Sequence, residues 1–233
     1  MIDLSHDVFD GLQTYPGLPV PVVRAHRDHG DPQPGYAPGT SFHIGRIEMV
    51  ANTGTYLDAP FHRFPGREDL AALPLESVAA LPGVVVRAEG PRALGPAEHP
   101  SGELRGHAVL FDTGWSRHWS TPAYFSGHPF LTGDAATALV ERGAALVGID
   151  SLNIDDTSDG ARPVHTTLLE AGIPVVEHLT NLAALPKRGF RFFAVPVKVR
   201  GMGTFPVRAF AEVQGGATGG PPPELARAGT EVH

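Results

Sequence analysis

An α/β fold in a single domain is predicted by two observations. Short apolar runs rich in β-branched residues recur at Val84 to Val86, Ala108 to Asp112, Ala145 to Asp150 and Val175 to His178, with helical stretches between several of them. That alternation is what parallel strands joined by crossovers require. The 233 residues are also 42% apolar and 18% charged, enough for a substantial core and typical of a globular rather than a disordered chain.

The elements follow in chain order. Residues 1 to 17 carry Asp3, His6, Asp7 and the turn signal Tyr15-Pro16-Gly17. Val20 to Val23 is β-branched but broken by Pro21, which predicts an edge strand or extended arm. Residues 28 to 40 are rich in glycine, proline and charge around Tyr36, the composition of a mobile flap or subunit contact. Phe42 to Ala51 alternates apolar and polar residues and predicts a half-buried strand leading into the segment Asn52 to His62. Residues 68 to 81 predict two short helices broken at Pro74, and Leu94 to Leu104 predicts helical turns and loop. The segment from Trp115 to Phe130, with Trp119, Tyr124, Phe125, His118 and His128, has the aromatic content to wall a pocket.

Thr132 to Arg142 is the clearest helix, because Thr132 can cap it and Gly143 can end it. After the 145 to 150 strand comes an acidic loop, Leu152 to Pro163, and then a short helix opened by His165 and ending at Gly172. Another short helix follows the 175 to 178 strand. Phe190 to Val199 and Val207 to Val213 predict closing strands around Gly201-Met202-Gly203-Thr204. The tail from residue 214 is rich in glycine and proline and is expected to be disordered or laid on a neighbour, which puts the folded domain at residues 1–213.

Composition narrows the function. A formal charge of −7 with no Lys/Arg run argues against nucleic-acid and anionic-membrane surfaces. The absence of cysteine excludes disulfides, thiolate metal sites and a cysteine nucleophile. No secretory pattern or membrane-length apolar run is present, so a cytoplasmic protein is expected, with small molecules or copies of itself as partners.

Asn52, Tyr56, Asp58 and His62 occupy even-numbered positions, so wherever the backbone is extended their side chains leave from one face. Asp58, His62, His165 and Glu177 form the candidate cluster, since imidazole nitrogen and carboxylate oxygen together hold zinc or manganese. Glu177 is the informative member: an interior strand rarely buries a carboxylate unless it is paired, hydrogen-bonded or metal-bound. A buried ion pair at Glu177, a capping or surface role for His165, and a structural turn at Asp58 and His62 are the competing readings. Asp112-Thr113-Gly114 lacks the second copy that an aspartic-protease dyad needs, and residues 150 to 159 do not align with a calcium loop. Pro206 replaces the third glycine of a dinucleotide fingerprint, and there is no nucleophile elbow or P-loop.

The stretch Asn52-x-Gly54-Thr55-Tyr56-x-Asp58-x-Pro60-x-His62 resembles the His-x-Gly-Thr-His-x-Asp-x-Pro-x-His motif of the cyclase family that includes bacterial kynurenine formamidase. Further ordered landmarks agree: Asp3-Leu4-Ser5, Tyr15-Pro16-Gly17, Thr113-Gly114-Trp115, Gly148-Ile149-Asp150, His165 with Leu168-Leu169, and Val176-Glu177-x-Leu179-x-Asn181-Leu182. The resemblance implies a swivelling β/β/α fold with a central mixed sheet and short helices, assembled as a homodimer or homotetramer. It implies a hydrolase of amide, lactam or lactone bonds using zinc or manganese, with Asp58, His165 and Glu177 as metal ligands and His62 as general acid/base or ligand.

Asn52 and Tyr56 depart from the motif, standing where two histidines would hold the first metal. An amide oxygen or a neutral phenol is a poor zinc ligand, so one ion held by Asp58, His165 and Glu177 is expected at most. The leading reading is a kynurenine-formamidase-like hydrolase of a small, apolar or aromatic amide, lactam or lactone. Two alternatives stand beside it. One is a metal-free cyclase or isomerase in which His62 and His165 do acid/base chemistry and Tyr56 and Asn52 donate hydrogen bonds to the substrate. The other is a non-catalytic binding homologue.

Overall fold

The computed structural model describes residues 1–32 and 34–213; the expected Gly/Pro-rich tail from residue 214 lies outside them. Among the described residues, thirteen strands and two α-helices form, connected in several places by single 3₁₀ turns. The strands are β1 (Ile2–Asp3), β2 (Val22–Arg27), β3 (Ile44–Glu48), β4 (Tyr56–Asp58), β5 (Leu81–Arg87), β6 (Ala93–Leu94) and β7 (Ala108–Asp112). They continue as β8 (Phe130–Leu131), β9 (Leu146–Ile149), β10 (Val175–Glu177), β11 (Phe190–Phe193), β12 (Thr204–Pro206) and β13 (Phe210–Val213). The helices are α1 (Gly133–Glu141) and α2 (Pro163–Glu170).

Nine strands make one curled mixed sheet in the order β1-β13-β11-β5-β7-β9-β10-β4-β12. The runs that read as buried strands in the sequence are its parallel centre, β5-β7-β9-β10, and antiparallel strands extend it on both sides. Parallel strands are covered on both faces, which is why these read as continuous apolar runs. Alternate residues serve two cores. Val84, Val86, Val109, Phe111, Val147 and Ile149 face α1 and α2, while Val85, Leu110, Leu146 and Val176 face inward with Leu4, Leu57, Leu179 and Phe192. Among the described residues, no helix is long and apolar enough to cross a membrane.

The capped helix forms as expected: the Thr132 hydroxyl accepts from Ala135 N at 3.2 Å, and Gly143, at φ +73°, turns the chain out of it. Three expectations are corrected. Residues 68 to 80 form turns and one 3₁₀ turn (Leu75–Ser77) instead of two helices, and Leu81 already begins β5. Asp69 accepts hydrogen bonds from Ala71 N at 3.0 Å, Ala72 N at 2.9 Å and, across the fold, Gly201 N at 2.6 Å, which holds the backbone in a turn that local helix propensity would oppose. The strand predicted at 42 to 51 shortens to β3 and is exposed throughout, because it pairs only with β2 in a separate two-stranded ribbon. The strand predicted at 190 to 199 stops at Phe193, shortly before Pro196, which has no N–H to donate.

Candidate active site

β4 and β10 are antiparallel neighbours, with Glu177 opposite Tyr56 and Val175 opposite Asp58. β12 flanks β4 on its other side and sets Thr204 opposite Asp58. Strand pairing thus collects Tyr56, Asp58, Glu177 and Thr204 at one sheet edge, all buried. After β4, Pro60 starts a 3₁₀ turn that ends on His62. Gly203 lies directly against that turn, and a Cβ there would stand 2.4 Å from the His62 backbone nitrogen. α2 then brings His165 over the same edge, with its ring centroid 6.0 Å from that of His62.

The predicted ligands converge. His165 Nε2 lies 3.5 Å from Asp58 Oδ2 and 3.6 Å from Glu177 Oε1. Asp155 orients it, accepting from His165 Nδ1 at 2.6 Å and from the backbone N–H groups of Val164 at 2.7 Å and His165 at 3.1 Å. Asp58 Oδ2 is buried without a hydrogen-bond partner. Burial alone would depress the His165 pKa, but Glu177, Asp155 and Asp58 outweigh it and push it up to about 10. Glu177 is pushed up to about 7, by burial first and then by Asp58, against the opposing pull of His165.

These residues fit a divalent ion. Ligand atoms about 2.1 Å from a tetrahedral metal sit roughly 3.4 Å apart, close to the observed separations. One candidate oxygen has no other partner, three carboxylates surround one imidazole, and the carboxylate behind His165 fixes which nitrogen faces the others. Among the described residues Asp58, His165 and Glu177 are the cluster able to hold a metal.

Tyr56 stands where the family motif has a histidine. Its hydroxyl donates to Glu177 Oε2 at 2.6 Å and is backed by His178 Nε2 at 3.3 Å, whose Nδ1 is 2.9 Å from the Tyr124 hydroxyl. Burial, with His6 nearby, depresses the His178 pKa to about 3, so the ring is neutral. Its Nδ1 then accepts from Tyr124 and its Nε2–H donates to Tyr56, a directed chain that ends on Glu177. Burial and the charges of Glu177 and Asp58 keep the Tyr56 phenol protonated. At this position the phenol is a hydrogen-bond donor to Glu177, not a ligand.

His62 is exposed above this floor. Thr204 Oγ1 donates to Asp58 Oδ1 and lies 2.7 Å from His62 Nδ1. A hydroxyl has one proton, so toward His62 it accepts, which puts the ring proton on Nδ1 and leaves Nε2 as the basic nitrogen. The cleft holds about 310 Å³ and is lined by Tyr15, Leu18, Asn52, Tyr56, His62 and His165 among others, with Arg63 and Arg162 at its sides.

The aromatic segment does not wall this cleft. Trp119 stacks on His6 at 4.1 Å and Tyr124 packs against His178, so those rings build the support behind the site. Sequence reasoning did not assign roles to Thr204, Asp155, His178, Arg63 or Arg162. Asp155 was visible only as part of an acidic loop and Thr204 only as the end of a Gly-Met-Gly-Thr stretch.

Comparison with known proteins bears on the family and the fold. The family described as putative cyclase matches residues 2–156. A kynurenine formamidase from Salinibacter ruber is 32% identical over 217 residues, covering 90% of this chain and 95% of the relative. One from Bacillus cereus is 26% identical over 212 residues, covering 89% and 95%. Among solved structures, isatin hydrolase A from Labrenzia aggregata, bound to benzyl benzoate, shares the fold with a TM-score of 0.77 at 22% identity, covering 91% of this chain and 93% of its own. A structure described as a potential metal-dependent hydrolase with cyclase activity has a TM-score of 0.72 at 25% identity, covering 89% and 94%. With its motif at the sheet edge and its family match over most of the chain, this protein belongs to the cyclase family.

Proposed function

We propose that the protein is a hydrolase that cleaves a small amide, lactam or lactone in the cleft above Asp58, with one divalent zinc or manganese ion held by Asp58, His165 and Glu177. The observation that carries this reading is the unpartnered, fully buried Asp58 Oδ2, 3.5 Å from His165 Nε2 in a group of three candidate ligands whose donor atoms lie within 4.8 Å of one another. Bound there, the ion would polarise the substrate carbonyl and acidify a water molecule.

The chain's own residues supply the remainder. His62 Nε2 accepts a proton from the attacking water and returns it to the leaving nitrogen or oxygen, so one water is consumed and a carboxylic acid and an amine or alcohol are released. The link from Asp58 through Thr204 to His62 Nδ1 holds the tautomer that makes Nε2 the base. Asp155 and Tyr56 orient His165 and Glu177 from behind. The metal-free alternative is less well supported, because the single hydroxyl proton of Tyr56 is already donated to Glu177.

The test is elemental analysis and turnover together. Purified protein reconstituted with zinc or manganese should hold one ion per chain and hydrolyse an aryl formamide, isatin or a simple lactone. Asp58→Asn should lose the ion. His62→Ala should keep it while turnover falls by roughly 100-fold or more. Failure to retain stoichiometric metal after reconstitution would refute the metallohydrolase reading.

A further inference from the structure

The chain carries a formal charge of −7, yet the two cations beside its cleft have no carboxylate partner. Arg63 follows His62 directly. Its Nε donates to Thr166 Oγ1 at 3.3 Å, which ties the catalytic turn to α2, and its guanidinium lies over the Phe64 ring at 5.4 Å, so neither terminal nitrogen is used in a hydrogen bond. Arg162 precedes α2 by one residue, and its only side-chain hydrogen bond is from one terminal nitrogen to the Asp156 carbonyl at 2.9 Å. Among the described residues no carboxylate lies within 4 Å of either guanidinium; several other arginines are also without a carboxylate, but of the arginines only Arg63 and Arg162 line this cleft.

Two further features fit a binding role. Arg162 sits in the left-handed region at φ +49° and ψ +59°, a strained conformation for a residue with a side chain, and it is held there at the start of the helix that delivers His165. The charges of the cleft are also segregated. Asp58 and Glu177 are buried at the floor, while Arg63 is exposed and Arg162 half-buried at the rim.

We propose that Arg63 and Arg162 form a carboxylate-binding subsite, and that the substrate is an acid whose carboxylate docks at the rim while its scissile carbonyl reaches the floor. The proposal rests on the reading of this cleft as the substrate site and names the substrate class. With Asp58 and Glu177 committed to the ion they would hold at the floor, the cleft groups free to anchor an anion are the two guanidiniums. A planar guanidinium matches a carboxylate with two parallel hydrogen bonds, and Tyr15 and Leu18 supply an apolar wall for the body between the two ends.

The test separates the subsite from the chemistry by measuring binding first. Benzoate and its neutral counterpart benzamide are titrated by calorimetry into wild type, Arg63→Gln, Arg162→Gln and the double variant, with thermal melts to confirm folding. Benzoate should bind wild type at least tenfold more tightly than benzamide, and the double variant should lose that preference. Arg→Lys at each site should restore part of it, since charge returns without the fork. Equal binding of the two probes to wild type would overturn the proposal, as would a preference for benzoate that survives both replacements, which would mean that the anion is held at the floor. With turnover in hand, the ratio of kcat/KM for 2-formamidobenzoate over formanilide should fall at least tenfold in the double variant. Absence of turnover on both formamides would count against the hydrolase reading while leaving the binding result to decide the subsite.

Discussion

Tyr56→Phe isolates the role of the phenol at a position where the family motif has histidine. The hydroxyl donates to Glu177 Oε2 at 2.6 Å, and a hydrogen bond to a buried carboxylate contributes about 1.5–3 kcal/mol. Its loss is poorly compensated. The remaining donor near that oxygen is Asn153 Nδ2 at 3.5 Å, and His178 Nε2 loses an acceptor at 3.3 Å. The ring itself stays, with its edge-on packing against His178 at 5.0 Å, so no large cavity is added. Destabilisation of about 2–3 kcal/mol is expected. For a domain of this size that lowers Tm by about 4–10 °C, readable by calorimetry or circular dichroism. Because the phenol also orients Glu177, zinc affinity should fall by about 10- to 100-fold in competition with a chromogenic chelator. A Tm shift below about 1 °C together with unchanged zinc affinity would refute the assignment of the phenol as the Glu177 donor.

Other consequences are equally direct. Thr204→Val removes the link between Asp58 and His62, so kcat should fall by roughly 10- to 100-fold while metal content stays near one per chain, and Thr204→Ser should recover most of the loss; equal activity of Val and Ser variants would contradict it. Gly203→Ala would set a Cβ 2.4 Å from the His62 backbone nitrogen, so the 3₁₀ turn must shift and activity should drop even where the protein folds; wild-type turnover in a folded variant would disprove the close approach. Burial depresses the His6 pKa to about 4. With the unfolded value near 6.5, the unfolded chain binds more protons between the two, so stability held above about pH 6.5 is lost as pH falls toward 4. His6→Gln should flatten that part of a urea-midpoint profile against pH, and an unchanged slope would show that His6 is not the group responsible.

The central strands were readable because burial on both faces leaves an uninterrupted apolar run, and α1 because Thr132 and Gly143 mark its ends by local chemistry. The stretch 68 to 81 misled for the opposite reason. Its helix-favouring composition is overruled by Asp69, whose carboxylate closes a turn and reaches Gly201 132 residues away. The aromatic segment misled similarly: rings that can line a pocket can equally back one, and only the position of His178 behind Tyr56 decides between them.

By itself the sequence determined the family, the alternation that puts Tyr56 and Asp58 on one face of a strand, and the suspicion attached to a carboxylate in an apolar strand at Glu177. It also showed that two histidines of the family motif were replaced, by Asn52 and Tyr56. What replaced them was decided only in three dimensions. Antiparallel pairing sets Tyr56 opposite Glu177, so the phenol serves a carboxylate 121 residues away, and β12 brings Thr204 between Asp58 and His62. Spacing along a strand specifies which side chains share a face, whereas their partners are set by strand register and loop approach, which the linear order of residues does not carry.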